Sequence, residues 1–218
     1  MMVGFDLDLT LADTRRGIGA VYAALAAETG AFIDVPLVVG RLGPPLEMEL
    51  ANWFPEPHIP EMVLRFRALY PELAIPATLL MSGAAEAVAA VRAAGERVMV
   101  VTAKNEPHAR ATLAFLGLDV DLLVGGLWAA GKGAALREHG AHTYVGDHPG
   151  DIAAARAADA FSLAVATGGF TASDLLGHGA DHVLDDLTSF PQWLDAFDRT
   201  CQPRSPRERG DRPRDEGR

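Results

Sequence analysis

Short apolar runs recur along the chain, separated by longer segments in which apolar and polar residues alternate with a helical period. The runs are rich in Val, Leu and Ile, which is typical of strands buried on both faces of a parallel sheet. The strands predicted in this way are residues 2–5 (MVGF), 97–102 (RVMVVT), 120–126 (VDLLVGG), 142–146 (HTYVG) and 161–167 (FSLAVAT).

Helical patterns lie between the later strands, at residues 106–117, 132–140 and 149–159. Strands that alternate with helices in this way build βαβ units, whose strands run parallel. The predicted fold class is therefore α/β, with a Rossmann-like parallel sheet that is flanked by helices.

A long helical insert follows the first strand. The next strand of parallel type begins near Arg97, and residues 83–96 look like the crossover helix that leads into it. The predicted organisation is a core of residues 1–12 and 83–200, an α-helical insert of residues 13–82, and a tail of residues 201–218.

Composition and charge narrow the class of function. The chain has 218 residues, of which 49% are hydrophobic, and a formal net charge of −10, which argues against a nucleic-acid-binding surface. Its single cysteine, Cys201, allows no intrachain disulfide and suits a reducing cytosol. The sequence has neither an apolar run of roughly 18 residues nor a secretory signal pattern. We therefore expect a cytoplasmic monomer or homodimer with no membrane partner.

The tail differs from the rest of the chain in charge. Residues 201–218 contain six Arg against four Asp and Glu, a net charge of +2, so the preceding residues carry −10 − 2 = −12. The tail has no periodic apolar pattern and is predicted to be disordered. A docking arm for an acidic partner is the alternative interpretation.

Polar side chains occupy the positions at which several predicted strands end. The first strand runs into DLDLT (residues 6–10), the second ends at Thr102, and the strand at 142–146 runs into GDHPGD (residues 146–151). Lys132 opens the helix before that last strand. Because ligands of open α/β sheets bind outside the carboxyl ends of the strands, these positions are predicted to converge on one crevice.

Clustered carboxylates repel one another unless a cation is present, and Mg²⁺ suits such a cluster together with a phosphate. One carboxylate can then attack phosphorus, while a second protonates the leaving oxygen and later deprotonates a water. Thr102 and Lys132 would hold the phosphoryl oxygens. Lys132 favours this interpretation because a lysine at a helix N-terminus opposes the helix dipole. Turn formation at residues 6–10 and helix capping by Asp147 and Asp151 are the structural alternatives.

Taken together, residues 6–10, Thr102, Lys132 and residues 146–151 resemble, in order and spacing, the four motifs of the haloacid dehalogenase (HAD) superfamily. Residues 13–82 look like the α-helical cap that the phosphoglycolate-phosphatase-like branch inserts after the first motif. The resemblance extends over roughly residues 2–195.

The resemblance implies catalytic and metal-binding roles. Asp6 would be the nucleophile and a Mg²⁺ ligand, and Asp8 would be the general acid and base, with its backbone carbonyl on the metal. Asp147 would be the third metal ligand, with Asp151 and Thr10 in support.

A second set of residues would bind the substrate. Thr102 and Lys132 would hold the phosphoryl group, with Ala103 beside them. Arg41 of the insert is hypothesised to pair with a carboxylate or second phosphate of the substrate. Three positions depart from the branch: Leu9 stands where glycine is usual, Ala103 stands where asparagine is common, and Gly133 stands where many relatives have proline.

The implied function is a Mg²⁺-dependent phosphatase that hydrolyses a small phosphomonoester, such as phosphoglycolate, through an aspartyl-phosphate intermediate. An aspartate at position 8 favours phosphate esters over carbon–halogen or carbon–phosphorus bonds. The alternatives are pyrophosphatase or sugar-phosphate mutase chemistry, and a non-catalytic binding protein on the same fold.

Overall fold

The structure of the protein is a computed structural model that describes the backbone of residues 1–201 and the side chains of residues 1–197. Residues 202–218, and with them nearly all of the predicted disordered tail, lie outside the described part. Within the described part, no helix has both the length and the apolar character needed to cross a membrane.

Six parallel strands form the central sheet. They are β1 (Met2–Phe5), β4 (Arg97–Val101), β5 (Leu122–Val124), β6 (Ala141–Gly146), β7 (Phe161–Val165) and β8 (His182–Leu184). Their order across the sheet is β5-β4-β1-β6-β7-β8, and the α/β fold class predicted from the sequence is confirmed. All five predicted strands are present, and the sixth, β8, was missed because its three residues are too short to stand out as an apolar run.

The first strand lies at the centre of the sheet. It pairs in parallel with β4 on one side and with β6 on the other, so that Phe5 lies beside Val100 and Val145. All four residues of β1 are buried. This position explains why its sequence is apolar without alternation, and it places the residue after Phe5 in the middle of the sheet's carboxyl edge.

Helices cover both faces of the sheet. Successive strand residues point to opposite faces, so Val98 and Val100 join the hydrophobic cluster on one side, and Met99 and Val101 join the cluster on the other. The first cluster is closed by α5, α6 and α10, and the second by α7 and α8. The helices of this part are α5 (Ala84–Ala93), α6 (Glu106–Leu116), α7 (Ala130–Glu138), α8 (Pro149–Ala157), α9 (Ala172–Gly177) and α10 (Phe190–Cys201).

The insert of residues 13–82, called the cap below, is largely helical, as predicted. Its helices pack around a hydrophobic cluster of their own, in which Tyr22, Phe66 and Tyr70 are buried. Two short antiparallel strands, β2 (Ala12–Asp13) and β3 (Leu79–Leu80), join the cap to the sheet. The cap helices are α1 (Arg15–Thr29), α2 (Val35–Gly40), α3 (Leu46–Leu50) and α4 (Ile59–Leu73).

The chain returns from the cap to the core at Gly83, where its backbone passes close to the backbone of Leu187. Gly83 has φ +80°, and a Cβ there would lie 2.3 Å from the carbonyl carbon of Leu187. We expect Gly83→Ala to lower the free energy of unfolding by about 3 kcal/mol, because it adds a backbone clash to the cost of a left-handed conformation. Urea unfolding measures the change.

Gly95→Ala is the matched control, since Gly95 has a similar φ of +75° but no atom within 4 Å of the Cβ that alanine would add. It should lower the free energy of unfolding by only about 1 kcal/mol. Equal losses in the two variants would mean that the approach to Leu187 does not matter.

Candidate active site

Three buried polar residues directly follow three neighbouring strands of the sheet. Asp6 follows β1, Thr102 follows β4 and Asp147 follows β6, and their exposed fractions are 5%, 1% and 2%. Because the strands are parallel, their carboxyl ends meet at one edge. The sheet order β4-β1-β6 therefore brings these three strand ends together.

An acidic cluster forms where these ends meet. Asp6, Asp147 and Asp151 each offer a carboxylate oxygen, and these oxygens all lie within 4.8 Å of one another. Asp151 is in the first turn of α8, and the hydroxyl of Thr10 donates to Asp147 Oδ1 at 3.1 Å. The side chain of Asp8 does not belong to this cluster.

Lys132 lies among the carboxylates. Its Nζ is 2.7 Å from Asp151 Oδ1 and 2.9 Å from Asp6 Oδ1, and the side chain is 1% exposed. Burial alone would lower the pKa of Lys132, but the two carboxylates outweigh it and hold that pKa well above its usual range. Lys132 is in the first turn of α7, which begins at Ala130 rather than at Lys132 itself. Its two ion pairs explain why a cation is tolerated at this helix N-terminus.

The cluster is electrostatically unbalanced without a further cation. Burial raises the pKa of Asp6 to about 7 despite Lys132, and burial raises the pKa of Asp147 well above its usual range. A hard divalent cation binds oxygen donors and stabilises the charged form of such carboxylates. The all-oxygen donor set of Asp6, Asp147 and Asp151 therefore fits Mg²⁺.

Asp8 has a different environment from Asp6, two residues earlier. Its Oδ1 accepts a hydrogen bond from the hydroxyl of Thr14 at 2.6 Å and lies 3.1 Å from Lys104 Nζ. The side chain of Asp8 is 18% exposed, whereas that of Asp6 is 8% exposed. Each aspartate of the pair is thus matched with a lysine of its own.

The backbone at Leu9 turns the chain between these aspartates and the cap. Leu9 has φ 62° and is 2% exposed. Its amide donates to the carbonyl of Ala12 at 2.8 Å, and its carbonyl accepts from the hydroxyl of Thr167. A left-handed conformation disfavours a side chain by about 1–2 kcal/mol, which explains why glycine is usual here. The buried leucine side chain and the two hydrogen bonds offset that cost.

Glycine is required next to Asp147. A Cβ on Gly168, in the loop after β7, would lie 1.9 Å from Asp147 Oδ2. The loop therefore packs closely against one carboxylate of the acidic cluster and leaves no room for a side chain at this position.

A cavity of about 90 Å³ lies between the sheet edge and the cap. Asp6, Asp8, Thr102 and Ala103 line it from the core side. Lys132 is not part of the lining, because it lies below the carboxylates. The cap residues that line it include Tyr22, Arg41, Phe66, Arg67 and Tyr70.

Arg41, the predicted partner of a substrate anion, does reach this cavity but is already paired. Its guanidinium makes a bidentate contact with Glu49, at 2.9 and 2.7 Å. Trp53 Nε1 also donates to Glu49 Oε1, at 2.7 Å. The structure thus gives Arg41 a role in holding the cap together.

Several residues of the site had not been singled out from the sequence. Lys104 carried an available signal, since it lies two positions after Thr102 at the same strand end. Thr14 and Tyr70 carried none, because their contacts with Asp8 and Lys104 depend on how the cap folds back over the sheet. Gly168 lies in the pattern TGG after β7, which is a detectable turn signal.

The fold and the site define a class of Rossmann-like hydrolases with an acidic cluster at the carboxyl edge of the sheet. The family model of haloacid dehalogenase-like hydrolases matches residues 3–156, and a second hydrolase-like model matches residues 132–190. The chain belongs to the haloacid dehalogenase-like hydrolase family, as its motifs predicted.

Curated relatives include the tyrosine-protein kinase PtkA of Mycobacterium tuberculosis and that of Mycobacterium bovis. The identity is 32% over 119 residues, which is 54% of this chain. The match covers only 41% of the length of these relatives.

Solved structures share the fold over nearly the whole chain. A haloacid dehalogenase-like hydrolase from Streptococcus pneumoniae is 24% identical with a TM-score of 0.77, covering 90% of this chain and 97% of its own. A predicted phosphatase from Clostridium acetobutylicum is 21% identical with a TM-score of 0.76, covering 89% and 98%. A predicted phosphoglycolate phosphatase from Haemophilus somnus is 20% identical with a TM-score of 0.74, covering 88% and 97%.

Because the pKa of Asp6 is raised, we expect the stability of the folded protein to depend on pH. The folded state holds this proton up to about pH 7, whereas the unfolded chain releases it near pH 3.8. The metal-free protein should therefore lose stability relative to Asp6→Asn as the pH rises from about 4 to about 7, by an amount on the order of a few kcal/mol. Urea unfolding of both proteins across this range tests it, and parallel stability profiles would contradict it.

A second prediction follows from the short distance between the Cβ position of Gly168 and the carboxylate of Asp147. Gly168→Ala should weaken Mg²⁺ binding by about 10- to 100-fold, because the new methyl group displaces a carboxylate of the cluster. Titration calorimetry measures the affinity. Gly177→Ala is the control, since no atom lies within 4 Å of the Cβ it would introduce. Unchanged Mg²⁺ affinity in Gly168→Ala would remove Asp147 from the metal site.

Proposed function

We propose that the protein is a Mg²⁺-dependent phosphatase that hydrolyses a small phosphomonoester through an aspartyl-phosphate intermediate. The observation that carries the proposal is the pairing of each aspartate of the DLD segment with a lysine of its own, where both aspartates line the cavity between the sheet edge and the cap. Two carboxylates in separate environments can take separate roles in one reaction.

Asp6 is the nucleophile. One of its carboxylate oxygens attacks phosphorus, the bond from phosphorus to the ester oxygen breaks, and the phosphoryl group is left on Asp6. Lys132, 2.9 Å from Asp6 Oδ1, favours the ionised carboxylate that this attack requires. Thr102 lines the cavity beside Asp6 and can donate its hydroxyl to a phosphoryl oxygen.

Asp8 acts as the general acid in the first step and as the general base in the second. In the first step its carboxylic acid donates a proton to the leaving ester oxygen. In the second step its carboxylate takes a proton from a water, which attacks phosphorus and releases Asp6. Thr14 and Lys104 hold the Asp8 side chain at the cavity wall for both steps.

Mg²⁺ would be held by Asp6, Asp147 and the backbone carbonyl of Asp8, with Asp151 and Thr10 in support. When bound, it supplies positive charge that stabilises the carboxylates and the transferring phosphoryl oxygens.

The position of the cavity supports a small substrate. Residues of both the sheet edge and the cap line it, so a substrate that reaches Asp6 lies between the two. Phosphoglycolate is therefore the first substrate to test. The similarity to tyrosine-protein kinase PtkA makes phosphoryl transfer to a protein the competing function.

A panel of phosphomonoesters, assayed with and without Mg²⁺, tests the proposal. We expect hydrolysis that chelation abolishes and Mg²⁺ restores, and a loss of about 10³-fold or more in Asp6→Asn. Asp119→Asn is the matched control, because this aspartate is 91% exposed in its side chain and lies outside the cavity.

Two results would overturn the proposal. One is activity that survives in Asp6→Asn. The other is phosphoryl transfer from ATP to tyrosine peptides without hydrolysis of any small ester.

A further inference from the structure

The loop that follows β7 is in close contact with two other parts of the site. A Cβ on Gly168 would lie 1.9 Å from Asp147 Oδ2, in the acidic cluster. A Cβ on Gly169 would lie 2.6 Å from the carbonyl oxygen of Gly40, in the cap. The backbone of this loop therefore packs against both the acidic cluster and the cap, and such close packing leaves it little freedom to shift.

Thr167, the residue before these two glycines, makes a hydrogen bond to a distant part of the sequence. Its hydroxyl donates to the carbonyl oxygen of Leu9 at 2.5 Å, and the two residues are 158 positions apart. Leu9 is 2% exposed and has φ 62°. Because Thr167 belongs to a loop that close packing holds in place, its hydroxyl can fix the position of the Leu9 backbone.

Leu9 has a backbone conformation that a leucine does not favour. In the left-handed region its Cβ comes too close to the following carbonyl oxygen, whereas glycine has no Cβ and adopts the same φ without this cost. A side chain stays in such a conformation only where the surrounding contacts determine it. The hydrogen bonds of the Leu9 backbone are therefore what holds the turn.

Each of the two peptide planes that flank the Leu9 Cα is held by a hydrogen bond. In the preceding plane, the amide of Leu9 donates to the carbonyl of Ala12 at 2.8 Å. In the following plane, the carbonyl of Leu9 accepts from Thr167, while the amide of Thr10 makes only a longer contact of 3.4 Å with the carbonyl of Leu7. Thr167 thus supplies the stronger restraint on the second plane.

The residues on either side of Leu9 contact different parts of the site. Asp8 Oδ1 lies 3.1 Å from Lys104 Nζ, and the hydroxyl of Thr10 donates to Asp147 Oδ1 at 3.1 Å. A rotation about the backbone bonds of Leu9 would change the direction of one side chain relative to the other. The turn therefore fixes the position of the proposed acid and base together with the support of a proposed metal ligand.

We propose that Thr167 is a positioning residue for the phosphatase reaction: its hydroxyl holds the left-handed turn at Leu9, and this turn keeps Asp8 at the cavity and Thr10 on Asp147. Thr167 does not line the cavity, so it acts through the Leu9 backbone and not on the substrate. The inference rests on the proposed function, because it takes Asp8 to be the acid and base. It also explains how the site keeps a leucine at a position where glycine would be free of strain.

Removal of the hydroxyl tests this role. Thr167→Val keeps the size of the side chain, and at saturating Mg²⁺ it should lower kcat for the best phosphomonoester by about tenfold while KM stays within about twofold. Thr167→Ser retains the hydroxyl and should keep kcat within about threefold of the wild-type value. Thr29→Val is the matched control, because the Thr29 hydroxyl also donates to a backbone carbonyl, that of Leu25, away from the cavity. It should leave kcat within about twofold.

Glycine at position 9 separates the positioning role from a general effect on folding. The turn carries no strain in Leu9→Gly, so adding Thr167→Val should lower kcat by less than about threefold relative to Leu9→Gly alone. If Thr167 only stabilised the fold, its loss would cost at least as much in Leu9→Gly, which has lost a buried side chain. Equal losses in the two backgrounds would therefore overturn the proposal. The comparison of Thr167→Val with Thr167→Ser decides the question if Leu9→Gly does not fold.

Mg²⁺ binding separates the positioning role from the catalytic proposal. In titration calorimetry, Thr167→Val should bind Mg²⁺ about three- to tenfold more weakly, because Thr10 no longer supports Asp147, and Thr167→Ser should bind it as the wild type does. This pattern in a protein that hydrolyses no phosphomonoester would retain the role of Thr167 and reject the proposed reaction. Unchanged Mg²⁺ affinity in Thr167→Val, or an active phosphatase whose kcat Thr167→Val leaves unchanged or Thr167→Ser lowers equally, would reject the role of Thr167.

Discussion

The ion pairs of the buried Lys132 are the interaction on which the site depends. Three buried carboxylates offer oxygens within 4.8 Å of one another, and such a cluster is unstable without positive charge. Lys132 bridges Asp6 and Asp151 at 2.9 and 2.7 Å and supplies one charge. The remaining imbalance, visible in the raised pKa of Asp6, is what makes the cluster a good match for a divalent cation.

A second lysine gives the two aspartates of the first motif different environments. Side chains two positions apart would share an environment in an extended strand. Here the chain leaves the strand at Asp6, so Asp8 faces the cap and pairs with Lys104 while Asp6 faces the acidic cluster. The strained conformation of Leu9 belongs to the same turn. The separate environments of Asp6 and Asp8 thus follow from a local backbone change at the end of one strand.

The cap completes the site through contacts that connect it to the core. Thr14, at the start of α1, bonds to Asp8, and Tyr70, in α4, covers Lys104. Both residues precede β4 in the chain and are far in sequence from residue 102, which follows that strand. A cavity forms only because the hydrophobic cluster of the cap holds these two helices together above the sheet edge.

The sequence by itself determined the α/β fold, five of the six sheet strands, the helical insert and the convergence of Asp6, Thr102 and Asp147. These features are local, because apolar periodicity marks each strand and parallel strands bring their ends to one edge. Only the tertiary structure decided that Arg41 is held by Glu49, that Lys104 faces the cavity, and that Tyr70 covers it. The first pairing depends on how the cap itself folds, and the other two depend on how the cap packs against the sheet edge. No periodicity within one segment of the chain encodes either arrangement.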